Sequence, residues 1–259
     1  MSTYEYWIGF FTLFRKELMR VFRIWPQTLL PSVITITLYF LIFGKIIGSK
    51  IGNMNGFDYI SFISPGLIIM AVINNSYSNV VGSFYGSRFN KSIEELLVSP
   101  LPNFLIILGY MCGGLMRSLI VGVMVSMVAF LFGGINFNHH HYILIILSYL
   151  LCGTLFSLGG LLNGIFSQKF DDTTIFPTFI LTPLIYLGGV FYSLNSLPLF
   201  WQHIVKINPL FFIVDFVRYA FLGVSSINPM IELVFILIFI VLLYVGIWVI
   251  LDKGIRLKE

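Results

Sequence analysis

Apolar residues run along this chain in blocks of roughly twenty, parted by short polar stretches, and each block is long enough to cross a hydrocarbon core of about 30 Å as an α-helix. The blocks fall at Gln27 to Ile47, Tyr59 to Phe84, Phe104 to Phe132, Tyr142 to Phe166, Thr174 to Tyr192 and Glu232 to Leu251, which predicts six spans. Spanning strands fit poorly. A barrel strand alternates apolar and polar residues, whereas Leu233 to Ile250 is almost continuously apolar. Pro177 and Pro183 fall inside the fifth block, where neighbouring helices can satisfy the backbone groups they free.

Two segments break the pattern in other ways. Residues 1–25 interleave Trp7, Phe11, Phe14, Leu18 and Phe22 with Arg15, Lys16, Glu17, Arg20 and Arg23 at helical spacing, which reads as an amphipathic helix lying in the membrane interface. Residues 193–229 are too interrupted for a clean crossing and too apolar for a water-exposed loop, so helical pieces re-entering the membrane edge are expected there. The most polar internal stretch is residues 86–102, between the second and third blocks. The expected plan is therefore all-α: an interfacial helix over 1–25, a six-helix membrane domain over 26–251 and a tail over 252–259.

Composition sharpens this picture. Hydrophobic residues make up 58% of the 259 and charged residues only 10%, against about 25% charged in a soluble domain, so no water-facing surface can be built. The net charge of +4 does not mark a nucleic-acid surface, because the basic residues flank apolar blocks instead of forming a patch. Taking alternate loops as facing opposite sides, Arg15, Lys16, Arg20, Arg23, Arg88, Lys91, Lys169, Lys253, Arg256 and Lys258 share one side. They outnumber Lys45, Lys50, Lys206 and Arg218 on the other, which places both termini in the cytoplasm. The first strongly apolar block follows Trp25 and is long enough to span, so no cleavable signal peptide is expected. Cys112 and Cys152 both lie inside apolar blocks, as buried thiols and not a disulfide framework.

Candidate chemistry is sparse. No G-x-x-x-x-G-K-[ST] loop is present, since Gly44-Lys45 runs into Ile46 and Lys91-Ser92 follows Asn90, so a transport process driven by ATP needs its ATPase on another chain. Coupling to an ion gradient usually sets acids or histidines within the membrane. Asp58, Asp171, Asp172, Glu232 and Asp252 fall near span ends, which leaves Arg117 as the one deeply placed charge and disfavours a proton or sodium relay. Arg117 either ties helices together or meets substrate. Gly114, Ser118, Gly122 and Ser126, beside the Gly109 and Gly113 pair, form a small-residue stripe that lets helices approach closely. His139, His140 and His141 read as an interfacial loop more readily than as a metal site, and no hydrolase signature such as G-x-S-x-G or H-E-x-x-H occurs. Asn74, Asn75 and Ser78 with Tyr39, Phe40 and Tyr77 form a polar and aromatic group that either lines a path through the bundle or packs helices.

Several stretches are more specific. They are Pro65-Gly66-Leu67, the run from Arg88 to Pro100, Phe170-Asp171-Asp172, Pro177-Thr178-Phe179, Thr182-Pro183-Leu184, the run from Tyr186 to Ser193, Leu197-Pro198, Asn208-Pro209 and Arg218-Tyr219 with Gly223. In order and spacing, over essentially the whole chain, they resemble the ABC-2 family of exporter permeases and within it bacterial inner-membrane permeases of the YadH type. The resemblance implies a non-catalytic membrane subunit, paired with a second copy of itself and two ATPase subunits. Those partners would bind ATP and magnesium, leaving this chain without a cofactor. Within residues 86–102 it implies a coupling helix, with Arg88, Lys91, Glu94, Glu95, Leu96, Leu97 and Pro100 facing the ATPase. It also implies a path for an amphipathic, lipid-linked, glycan or drug-like cargo along spans one, two and five. The alternatives are an ion-coupled secondary transporter or a membrane-embedded hydrolase.

Overall fold

The computed structural model describes residues 3–135 and 142–254. The His139 to His141 run and the tail residues Arg256 and Lys258 lie outside them. Among the described residues ten helices follow one another, besides a 3-10 turn at Leu194–Ser196: α1 (Thr3–Arg23), α2 (Trp25–Ile51), α3 (Tyr59–Phe89), α4 (Ser92–Val98), α5 (Asn103–Leu131), α6 (Tyr142–Phe166), α7 (Asp172–Leu187), α8 (Leu199–Ile207), α9 (Pro209–Leu222) and α10 (Pro229–Asp252). A two-residue hairpin, β1 (Asn53–Met54) with β2 (Phe57–Asp58), closes the loop after α2.

Among the described residues, α2, α3, α5, α6 and α10 are long and apolar enough to cross a membrane. The fifth apolar block of the sequence is shorter than these as a helix, and it is broken. Pro177 and Pro183 each lack an N–H, so the turns of α7 loosen to a wide π-type winding over Pro177–Leu181, and the Thr182 hydroxyl donates back to the Pro177 carbonyl at 2.9 Å. The interrupted stretch before the last helix folds as two shorter helices, α8 and α9.

The bundle is built around α3. It packs on α5, α6, α9 and α2, and most of its spanning length is buried, whereas α2 and α10 expose most of theirs. Pro65 sits inside α3 without ending it, and Gly66 beside it is required by space. A Cβ there would stand 3.0 Å from the Val190 backbone.

Two Asn-Pro pairs start helices in the same way. The Asn208 side chain accepts from the Leu210 N–H and Asn228 accepts from the Met230 N–H, with proline at the first helical position, where its missing N–H costs nothing. Gly223, at φ +72°, closes α9 in the left-handed conformation that favours glycine.

The small-residue stripe of α5 serves two faces. A Cβ on Gly109 would run into Leu13, and one on Gly113 would stand 2.6 Å from Glu17 Cβ, so this pair seats α1. Gly122 lies against Tyr149 of α6 and Val72 of α3, and the Ser126 and Tyr149 hydroxyls share a 2.6 Å hydrogen bond. Close approach between helices is what such residues permit in a membrane.

Candidate functional site

The N-terminal helix is amphipathic with its faces arranged for protein on one side. Trp7, Phe11, Met19 and Phe22 are exposed, while Leu13, Glu17 and Val21 are buried. Glu17 is fully enclosed and accepts from the Ser83 hydroxyl of α3 at 2.7 Å. Arg20 lies 3.5 Å from Glu17 and donates to both the backbone and the side-chain oxygen of Asn79, at 2.7 and 2.8 Å.

Arg117 completes this network from α5. Its Nη2 donates to Asn75 Oδ1 at 3.0 Å and to the Thr28 carbonyl at 3.3 Å, and its Nη1 reaches Asn79 Oδ1 at 3.5 Å. Asn75 in turn donates to Ser32 on α2. One polar cluster thus ties α1, α2, α3 and α5 together, and Arg117 belongs to it as a tie between helices.

The sequence-derived path residues divide accordingly. Asn75 faces Arg117 inside the bundle, whereas Asn74 is half-exposed and Ser78, one turn on, is exposed on another side of α3. Tyr39 meets the Tyr186 hydroxyl at 3.0 Å and stands edge-on to Phe191, where Phe43 and Tyr186 also pack. Phe40 is buried and stacks on Phe132. Tyr77 is buried and stacks on Phe176 of α7.

Arg117 is not the one enclosed charge among the described residues, because a second cluster lies between α9 and α10. Asp215 and Arg218, three residues apart within an apolar run, are both buried, as is Glu232 in the first turn of α10. Asp215 accepts from the Ser226 N–H at 2.6 Å, the Ile227 N–H at 3.3 Å and Arg218 Nη1 at 3.3 Å. Arg218 also donates to the Gly189 carbonyl and lies 4.2 Å over the Phe62 ring. The Glu232 oxygens have no hydrogen-bond partner among the described residues. Counting Glu232 as a span-end charge and Arg218 as a loop charge, with Asp215 overlooked, hid this cluster. Its signal was the Asp215-to-Arg218 spacing of three inside Phe211 to Leu222.

At the opposite end of the bundle, α3 turns sharply into α4. Lys91 supplies the turn at φ +58°, a left-handed conformation uncommon outside glycine. Ser92 does not cap α4, because it is the first helical residue and its hydroxyl donates to the Ser87 carbonyl at 3.1 Å. Glu94 and Glu95 in the first turn are exposed. Ile93 is buried and Leu96 and Leu97 are half-buried against the bundle, so the most exposed apolar groups here are Val98 and Phe89. Arg88 faces inward, donating to the Ile165 and Ser167 carbonyls at 2.8 and 3.0 Å and locking α3 to the end of α6. Pro100 lies exposed after α4. Beside α4 opens a broad polar and apolar groove, walled by Glu94, Leu97, Ser167 and Gln168 and by Asp252 and Lys253 at the end of α10.

Long apolar helices around a central α3, with a short surface helix strung between α3 and α5, describe a multi-pass membrane protein of the transporter-permease kind. The ABC-2 type transporter family model matches residues 8–222, and the chain belongs to that family as a transmembrane transporter subunit. It is 47% identical over 254 residues to the inner membrane transport permease YadH of Escherichia coli strain K12, covering 98% of each chain. The protein of that name in Shigella flexneri matches to the same extent. Nodulation protein J of Rhizobium meliloti is 23% identical over 209 residues, 79% of each chain.

Proposed function

We propose that this chain is the membrane subunit of an ATP-driven exporter in a bacterial inner membrane, working as a pair with two copies of a separate ATPase. Both its termini face the cytoplasm, and α7, proline-broken as it is, serves as the sixth crossing. The observation that carries the reading is α4 and its surroundings. The helix is held by its inner residues to a bundle end, presents Glu94, Glu95 and Val98 outward, and leads directly into α3 and α5. A partner that grips it moves two packed helices at once, which is what alternating access requires.

The family description and the name of the YadH relatives speak of transport, and the sequence holds no phosphate-binding loop. The Asn74 and Ser78 side of α3 and the Tyr39–Tyr186 pair supply polar groups at the surface of the bundle, suited to a cargo that is itself amphipathic. The buried Asp215, Arg218 and Glu232 cluster is the one observation that favours an ion-coupled secondary transporter.

The deciding experiment reconstitutes the chain with candidate ATPase subunits from the same organism and follows ATP hydrolysis and cargo movement. Export that needs ATP and survives collapse of the proton gradient is the expected result. Export driven by the gradient without ATP would replace this reading with the ion-coupled one.

A further inference from the structure

The broken α7 leaves a gap behind it. At one end α7 packs on α3 and α6, and at the other on α9, while its proline-loosened middle stands off from α6 and α10. The space enclosed is a cavity of about 390 Å³, and nearly all of its wall is hydrocarbon, including Leu155, Phe156, Leu184, Ile213 and Ile236. Phe166, Phe176 and Phe239, all partly exposed, stand at its rim.

Polar groups enter at one place. Tyr77 lines the cavity, and its buried hydroxyl has no partner in good hydrogen-bond geometry among the described residues, with the Asn163 side chain standing beside it. A buried hydroxyl without a well-formed hydrogen bond is costly, and one of the two N–H groups of the Asn163 amide is taken by the Thr173 carbonyl. This polar spot is within one turn of the Phe166 end of α6, the end of the bundle that carries α4. From there the walls run, entirely apolar, toward Pro209 and Phe235 at the starts of α9 and α10.

We propose that this cavity is a binding site for a single acyl chain. Its carboxyl or ester oxygen accepts from the Tyr77 hydroxyl at the α4 end, and its hydrocarbon runs toward the start of α10. The volume suits such a ligand: at about 30 Å³ for each water-sized group it holds on the order of thirteen methylenes. A short polar molecule would leave the apolar length dry and unfilled. The site lies inside one chain and is independent of the ATP-driven reading, so it stands or falls by itself. A free fatty acid and a membrane phospholipid both present this chemistry.

The test uses the full-length protein in lipid nanodiscs and two photoreactive probes, palmitic acid and a phosphatidylethanolamine, each with a diazirine in the middle of the chain. Adducts are mapped by mass spectrometry at Leu155, Phe156 and Leu162, and at Leu242 on the exposed face of α10 as the control for ordinary surrounding lipid. Cavity adducts should be competed away by unlabelled palmitate or phosphatidylethanolamine, while those at Leu242 should persist. The probe that labels more strongly at equal concentration identifies the source of the chain.

Tyr77→Phe should weaken that competition about fivefold, the effect of losing one net hydrogen bond. Leu184→Trp, which fills the cavity from α7, should abolish cavity labelling and leave the Leu242 adducts. Cavity labelling of the native protein that cannot be competed, or that never exceeds labelling at Leu242, would overturn the proposal even if the tryptophan variant did not insert. Competition unchanged in Tyr77→Phe would overturn the assignment of the polar end.

Discussion

Glu17 of the N-terminal helix, fully buried, takes the Ser83 hydroxyl of α3 at 2.7 Å, so a carboxylate from a helix built to lie on a membrane is held within the protein. Removing it leaves Arg20 without its acid while Arg117 stands nearby, the two joined through Asn79. Glu17→Ala should cost about 2–3 kcal/mol, the order seen when one partner of an enclosed ionic cluster is deleted, and Ser83→Ala about 1 kcal/mol. Thermal melting of both single variants and the double variant in detergent checks this. Energies that simply add, within about 0.5 kcal/mol, would show that the two residues are not coupled.

The glycine pair on α5 makes a steric prediction. Gly113→Val would push a side chain into Glu17 and should lift α1 off the bundle, seen as faster protease cleavage between residues 3 and 23. Gly246→Ala, where nothing stands within 4 Å, should leave melting unchanged or raise it by up to about 1 kcal/mol. Equal protease resistance in native and Gly113→Val proteins would remove α1 from its assigned seat.

The α9–α10 cluster separates a satisfied acid from an unsatisfied one. Asp215→Ala strips acceptors from two backbone N–H groups and from Arg218, and should destabilise by about 3 kcal/mol or more. Glu232→Gln replaces a buried carboxyl group, whose oxygens have no hydrogen-bond partner in good geometry among the described residues, by an amide of the same size, so melting should hold or improve. A large fall in the Glu232→Gln melting temperature would reveal a donor or bound cation that serves Glu232.

For α4, the proposed coupling segment, exposure selects the probe. Leu96→Asp strikes a residue half-turned into the bundle and confuses folding with docking, whereas Val98 is 87% exposed. Val98→Asp, and Glu94→Lys with Glu95→Lys, should insert and melt normally yet reduce recovery of the ATPase with the permease by at least tenfold. Undiminished recovery together with undiminished export in both variants would exclude α4 as the main docking element.

Much of the architecture was readable because membrane helices announce themselves as long apolar blocks, and the family motifs from Arg88 to Pro100 marked the connecting helix. What escaped depended on which way side chains face. Asn75 and Asn79 differ from Asn74 and Ser78 only in azimuth around α3, yet the first pair meets arginines and the second the outside. Leu96 and Leu97 looked like an outward docking edge because adjacent leucines carry no mark of direction. Arg218 looked like a loop charge because α9 is too short to register as a span; its helix neighbour Asp215 stood at a readable spacing of three, but its partner Gly189 is identified only once α9 folds back on the bundle.

The placement of α3 bears on how the protein is made. Synthesis delivers α2 and α3 to the membrane before α5 and α6 exist, and α3 then carries Asn74, Asn75 and Asn79 without Arg117 of α5 or the walls of α6 to receive them. Lipid alone is a poor host for such a segment. Newly made α3 therefore lingers at the insertion machinery, or against α1 with its Arg20, until Arg117 emerges. Truncated chains ending before Arg117 should be extracted and degraded far faster than those ending after Phe166, and α10, with its uninterrupted apolar surface, should insert unaided.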